Sequence, residues 1–107
     1  MSLISSVSGR AEADLTRQYE WYVEKDSMDL AERFLEAFDQ TISRLVQNPT
    51  LGRRRRFRSL ELQGIRSLAI SRPFSSHLVF YRVDEECVSI ERVMHGGRDL
   101  ARRLLEP

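Results

Sequence analysis

Residues 77–99 read HLVFYRVDEECVSIERVMHGGRD, and this stretch decides how the rest of the chain is interpreted. Two runs rich in β-branched and aromatic residues, LVFYRV (78–83) and CVSIERVM (87–94), flank the acidic tip Asp84-Glu85-Glu86. The pattern predicts an antiparallel hairpin that ends at Gly96-Gly97, where the chain turns. In the first run Leu78, Phe80 and Arg82 alternate with Val79, Tyr81 and Val83, so the strand is nearly apolar on both faces. Such a strand belongs in the middle of a sheet that is covered on both sides. One cover is expected from this chain and the other from a partner.

Working outward, Gly64 opens a further strand predicted over residues 65–70, and Pro73 with Ser75 and Ser76 turns the chain into the hairpin. Before it lie two amphipathic helices. Ser8 offers an N-cap, and from residue 10 to about 24 Ala11, Leu15, Tyr19, Tyr22 and Val23 recur at helical spacing while Glu12, Asp14, Arg17, Glu20 and Lys25 fall largely elsewhere. Trp21 lies off that stripe, which makes it either a widening of the buried face or a contact surface. Ser27 caps a second helix whose stripe is Ala31, Phe34, Leu35, Phe38, Ile42, Leu45 and Val46, and Asn48-Pro49 stops it. The short connection predicts an antiparallel pair of helices with its apolar side turned to the sheet. At the ends, Leu3, Ile4 and Val7 suggest a strand that joins the sheet, and Leu100, Leu104 and Leu105 a helical turn or two.

A chain of 107 residues supports a single domain spanning 1–107. Its one cysteine, Cys87, excludes an internal disulfide, fits a reducing compartment and reads as a small strand residue of the core. No apolar run approaches the roughly 18 residues of a membrane span and no leader pattern opens the chain, so a cytoplasmic protein without a membrane partner is expected. The net charge of +1 conceals an asymmetry: residues 1–50 carry five basic and nine acidic side chains, and residues 51–107 twelve and seven. The second half is the one that attracts acidic company. Only Lys25 among the 17 basic residues is a lysine, and arginine suits bidentate recognition of carboxylate or phosphate.

The densest charge is Arg53, Arg54, Arg55, Arg56 and Arg58, interrupted by Phe57. Such a run holds nucleic-acid phosphate, holds the carboxylates of an acidic partner, or is simply a solvated loop, and the run alone does not choose among these. His77 and His95 stand at the two ends of the hairpin with no metal-ligand spacing around them, so neither a metal nor a cofactor is expected. Gly96-Gly97 lacks the Lys-Ser/Thr of a phosphate loop. What remains is a set of arginines on or beside the sheet, Arg66, Arg82, Arg92 and Arg98, with His95 at the strand end. Guanidinium groups there either stabilise a phosphoryl transition state or pair with neighbouring acids on a strand surface.

Several local signatures, in order and at this spacing, resemble the RelE/ParE superfamily of toxins from type II toxin–antitoxin systems. They are AEADL at 11–15 in the first helix, NPTLG at 48–52, GIRSL at 64–68, HLVFYRV at 77–83 and VMHGGRDL at 93–100. The resemblance implies an α+β domain: an N-terminal strand, a helical hairpin packed on a mainly antiparallel β-sheet, and a short C-terminal tail. RelE-like members are implied to be ribosome-dependent messenger RNA endonucleases. In that reading Arg66 and Arg98, with His95 as acid or base, would be catalytic, but Leu68, Leu78 and Leu104 fall where further Lys, Arg and Tyr side chains would stand. ParE-like members resemble this chain more closely in YRV at 81–83 and HGGRD at 95–99. They are implied to poison DNA gyrase by binding it, with no catalytic residue of their own.

The expectation is therefore a ParE-like toxin that binds gyrase and is neutralised by a cognate antitoxin, as a homodimer or a toxin–antitoxin heterotetramer. The alternatives are a RelE-like endonuclease or an inactive interaction module. An acidic antitoxin segment that folds on binding would lie over the basic half and the open sheet face, with apolar burial against Leu68, Val79 and Tyr81. The residues expected to meet antitoxin or target are Arg53, Arg54, Arg55, Arg56, Arg58, Arg66, Leu68, Val79, Tyr81, Arg82, Arg92 and Arg98. No direct DNA binding by the toxin alone is expected.

Overall fold

Local capping chemistry sets the first boundaries in the computed structural model, which describes residues 3–106. A short strand, β1 (Ile4–Val7), leads to Ser8, whose Oγ accepts the amide of Ala11 at 3.0 Å and so starts helix α1 (Gly9–Lys25). After Asp26, Ser27 does the same for the amide of Leu30 and starts α2 (Met28–Gln47). Only two residues separate the helices, which forces them to run antiparallel side by side. Proline at position 49 follows the cap residue Asn48, and the chain crosses to the sheet.

The remaining elements are β2 (Arg53–Arg54), a single 3₁₀ turn at Leu60–Leu62, β3 (Arg66–Ala69), β4 (His77–Val83), β5 (Cys87–His95) and helix α3 (Leu100–Leu105). The sheet order is β1-β5-β4-β3-β2, with β1 parallel to β5 and every other pair antiparallel. The expected hairpin is β4–β5, closed by Asp84, whose Oδ1 accepts the amides of Glu86 and Cys87 at 2.9 and 2.8 Å. The arginine run is not wholly a loop, because its first two residues form the edge strand β2. The strand expected over 65–70 is shorter, with Ile65 and Ile70 flanking it and buried.

Two apolar clusters cover the two faces of β4. On the helical side Ala11, Phe34, Phe38 and Leu45 pack on Ile70, Val79, Tyr81, Val88, Ile90 and Val93. On the outer side Phe80 is sealed by Leu62, Ile65 and Leu104, with Phe57, Leu78, Met94 and Leu100 around them. The second cover thus comes from the chain itself, from the segment after β2 and from α3, and not from a partner. Val79 and Tyr81 are fully buried beneath the helices, and Leu68 is half-buried against the same core. The expectation of an apolar surface for an antitoxin is corrected for Val79 and Tyr81, whereas Leu68 stays partly accessible.

One residue too many on β5 reshapes its far end. Phe80 pairs with Arg92 and Tyr81 with Ile90, so Glu91 is a bulge, and Ile90 and Val93 both reach the helical core although they lie three apart. Pairing with β1 ends at Ile90, which leaves the rest of β5 with an open edge. Asp14 of α1 fills it. Its Oδ2 accepts the amide of Val93 at 3.0 Å, as a neighbouring strand's carbonyl would. Arg92, standing opposite the outward-facing Phe80, wraps this edge and grips the same carboxylate twice, at 2.8 and 2.9 Å. Its remaining nitrogen donates to the carbonyls of Arg103, Leu104 and Glu106, closing the C-terminal end of α3.

Arg92, expected to face a partner, is therefore buried, and its hydrogen bonds to Asp14 hold its pKa above the ordinary arginine value against the cost of burial. Breaking such a pair leaves the surviving charge without compensation. Asp14→Ala is expected to destabilise the fold by about 3–5 kcal/mol, read as a lowered denaturant midpoint. A loss below about 1 kcal/mol would show that the pair is dispensable.

Candidate functional site

The arginine-rich edge is built on a rigid footing. Tyr81, buried in β4, donates its hydroxyl to the carbonyl of Pro49 and accepts the amide of Gly52, each at 2.8 Å. Gly52 is packed so tightly there that a Cβ would lie 2.5 Å from the Tyr81 hydroxyl and 2.7 Å from the carbonyl of Ser67. Arg66 adds a bond from its guanidinium to the Gly52 carbonyl at 2.8 Å. The NPTLG segment is thus clamped from three directions, and β2 starts from a fixed point.

Beyond it the chain runs extended, with the amide of Arg55 bonded to the carbonyl of Ile65 at 2.9 Å. Exposure then alternates: Arg54, Arg56 and Arg58 are exposed, whereas Arg55 and Phe57 turn inward. Arg55 lies 5.8 Å from the centre of the Phe80 ring and donates from Nε to the Ser67 hydroxyl at 2.7 Å. Burial, and next the charge of Arg53, pull its pKa below the ordinary arginine value. Arg54, Arg55, Arg56, Phe57, Gln63 and Gly64 enclose a notch of about 330 Å³. Among the described residues, none of the arginines from 53 to 58 has a carboxylate partner, while Arg82 pairs with Glu91 and also donates to the carbonyls of Glu61 and Gln63. Arg82, expected to meet a partner, is spent on holding the 3₁₀ turn to the sheet.

A larger cleft of about 550 Å³ opens at the opposite end of β4, lined among others by Arg17, Trp21, Tyr22, His77, His95 and Arg103. Trp21 is half exposed on its wall and does not widen the buried face of α1. The histidines expected at the two ends of the hairpin are directly opposite one another, with ring centres 5.2 Å apart. His77 is buried against Phe34 and Tyr22, and its Nε2 shares a hydrogen bond of 2.9 Å with the Tyr22 hydroxyl. Burial, and secondarily His95, lower its pKa from 6.5 to about 4. Cys87 is only half-buried, near the β1 edge with Sγ 3.5 Å from the Ser6 hydroxyl, and so is not the core residue expected.

The residues of the endonuclease alternative do not converge. Arg66 stands opposite Tyr81 and His95 opposite His77, so four residues of β4, roughly 13 Å along the strand, separate them. Arg98 is exposed on the turn before α3. Leu68 and Leu78 are half-buried and Leu104 is buried, each packed among apolar side chains. Among the described residues no group of three or more His, Cys, Asp and Glu side chains is placed to hold a metal ion, and no helix is long and apolar enough to cross a membrane.

A helical hairpin on a five-stranded mixed sheet with these covers is the fold of the small toxins found in toxin–antitoxin complexes. The structure of the "Chromosomal ParDE TA system from P. aeruginosa" superimposes with a TM-score of 0.72 at 21% identity, over 90% of this chain and 98% of that one. The toxin–antitoxin complex RelBE2 from Mycobacterium tuberculosis gives 0.56 at 22% identity, over 90% and 100%. YafQ from E. coli strain BL21(DE3) gives 0.60 at 12%, over 87% and 92%. No curated protein sequence matches the chain. Residues 6–100 match the family model of the ParE toxin of the type II toxin-antitoxin system parDE, and the chain belongs to that family. It is the toxin component of such a system, within the RelE/ParE superfamily.

The buried His77 gives the fold a defined pH response. Because its folded pKa lies below the unfolded one, the unfolded chain takes up the proton first as pH falls, and stability present above about pH 6.5 is lost on the way down to about 4. Between pH 7.0 and 5.5, above most carboxylate titration, wild type is expected to lose about 1 kcal/mol in denaturant unfolding. A His77→Gln variant should lose that slope, and an unchanged slope would assign the effect elsewhere.

Proposed function

We propose that this toxin acts by binding DNA gyrase, performs no hydrolysis of its own, and is held inactive by a cognate antitoxin that folds onto it. The observation that carries the reading is the failure of Arg66 and His95 to meet, with leucines at 68, 78 and 104 where a nuclease would place proton-transfer and charge-stabilising groups. Leucine neither moves a proton nor stabilises developing charge. Membership of the ParE family supports the same direction.

The faces available to partners differ from those the sequence alone suggested. Both sides of β4 are covered, Arg92 is buried and Arg82 is paired, so of the residues expected to meet a partner the exposed ones are Arg53, Arg54, Arg56, Arg58 and Arg98, and these are proposed as target contacts. An acidic antitoxin segment gains favourable charge anywhere on this basic half, but it must find its apolar contacts outside Val79 and Tyr81. Partners in toxin–antitoxin systems assemble in more than one stoichiometry, and a homodimer or a heterotetramer is compatible with the exposed surfaces.

Induced expression without antitoxin distinguishes the readings. DNA-damage signalling with filamentation and continuing translation is expected, with gyrase-dependent DNA breaks in purified reactions. His95→Ala should leave the DNA damage and filamentation intact. Prompt translation arrest with cleaved ribosome-bound messages, abolished by His95→Ala, would sink the gyrase reading in favour of the endonuclease. Absence of both effects would point to an inactive interaction module.

A further inference from the structure

We propose that the ridge formed by Arg54, Arg56 and Arg58 binds the phosphate backbone of duplex DNA without reading its sequence, so that the toxin can meet its target while that target holds DNA. The binding itself concerns the toxin alone and departs from the expectation drawn from its sequence; only its use at gyrase rests on the function proposed above.

Three observations lead to DNA. The first is spacing. From residue 54 to 58 every second position is exposed, so Arg54, Arg56 and Arg58 stand out from the segment while Arg55 and Phe57 turn inward. A duplex presents its phosphates as a continuous charged row, which a row of guanidinium groups can follow.

The second is uncompensated charge on a fixed support. The described residues place no carboxylate within ion-pairing distance of any arginine from 53 to 58, and the side chains of Arg54, Arg56 and Arg58 make no hydrogen bond within the fold. Their backbone is nevertheless held by the Tyr81–Gly52 clamp, the β2–β3 pairing and the amide of Arg55 on Ile65. Gln63 pins the far side by donating to the carbonyls of Phe57 and Ser59 at 2.6 and 3.2 Å. A presented row of guanidinium groups on a rigid support binds an anion at a lower ordering cost than the same groups on a free loop.

The third is the character of the notch behind the ridge. Its walls are guanidinium, amide and backbone, with Phe57 as the one large apolar side chain. A peptide that orders on binding needs apolar burial to offset its lost conformational entropy, whereas a phosphate backbone needs only charge and donors. The neighbouring Leu60 is exposed but lies on the 3₁₀ turn beyond the notch lining.

The test uses wild-type toxin and a fluorescein-labelled 20-base-pair duplex, with anisotropy followed from 50 to 200 mM KCl. Three phosphate contacts predict a slope of log K against log salt near −2.7, an affinity loss of about 40-fold across that range. The combined variant Arg54→Gln/Arg56→Gln/Arg58→Gln should keep the wild-type thermal midpoint, lose the slope and bind at least tenfold more weakly at 50 mM. Arg102→Gln, which removes an exposed arginine already paired with Asp99 and Glu106, should change little. Equal binding by the triple variant, no binding of wild type at 50 mM, or tighter binding of a polyglutamate peptide of matched charge would each overturn the proposal.

Discussion

The carboxylate of Asp14 is the constraint on which the rest of this molecule depends. Where β1 stops, β5 would present an unpaired edge, and an unpaired edge invites another chain. Asp14 closes it by accepting the Val93 amide, while Arg103 donates to the carbonyl of His95 at 2.7 Å on the same stretch. Side chains from two helices thus do at this end of the strand what β1 does at the other. Arg92 then converts the closed edge into a joint: it binds Asp14 on one side and the carbonyls ending α3 on the other, so the first helix, the last strand and the last helix share one buried charge pair. Arg10 reinforces the joint by donating to the carbonyls of Leu104, at 2.7 Å, and Glu106.

A second anchor works at the other end of β4. Tyr81 points into the helical core, yet its hydroxyl reaches the surface segment that carries the arginines, and Gly52 provides the close approach that makes this possible. The core strand therefore positions two functional regions through its two ends: Tyr81 the arginine edge, His77 the aromatic cleft. These regions are kept apart by the length of the strand, and that separation is also what prevents Arg66 and His95 from forming one site.

How much of this was legible in the sequence depended on whether the signal was local. The hairpin, both long helices, their serine caps and the stop at Asn48-Pro49 follow from periodicity and turn chemistry, and the structure places them within a residue or two of expectation. Asp14 was misread because an acid three residues before Arg17 on a helix looks like half of a solvated pair; its buried partners, Val93 and Arg92, lie far along the chain and give no local trace. The bulge at Glu91 was hidden for a related reason, since strict alternation cannot show an extra residue. The second cover of β4 was assigned to a partner because Leu62, Ile65 and Leu104 sit among charged residues and show no regular period. The helical core buries Val79 and Tyr81, Asp14 engages Arg92 and Glu91 pairs with the half-buried Arg82, which changes the surface on which a partner was expected. The arginine run announced itself by composition, but its alternation into exposed and inward members depends on the strand that β2 forms with β3.

The parallel pairing of β1 with β5 carries a consequence for synthesis. The first strand made has its partner in the last one, and α3 is fixed by an arginine of that same late strand. Contacts so distant in sequence are slow to close and cannot form on a partial chain. A toxin cut short before β5 leaves its amino-terminal strand unpaired and Asp14 with only the exposed Arg17 of its own helix as counter-charge, so a ribosome that stalls early releases a chain unable to assemble the fold.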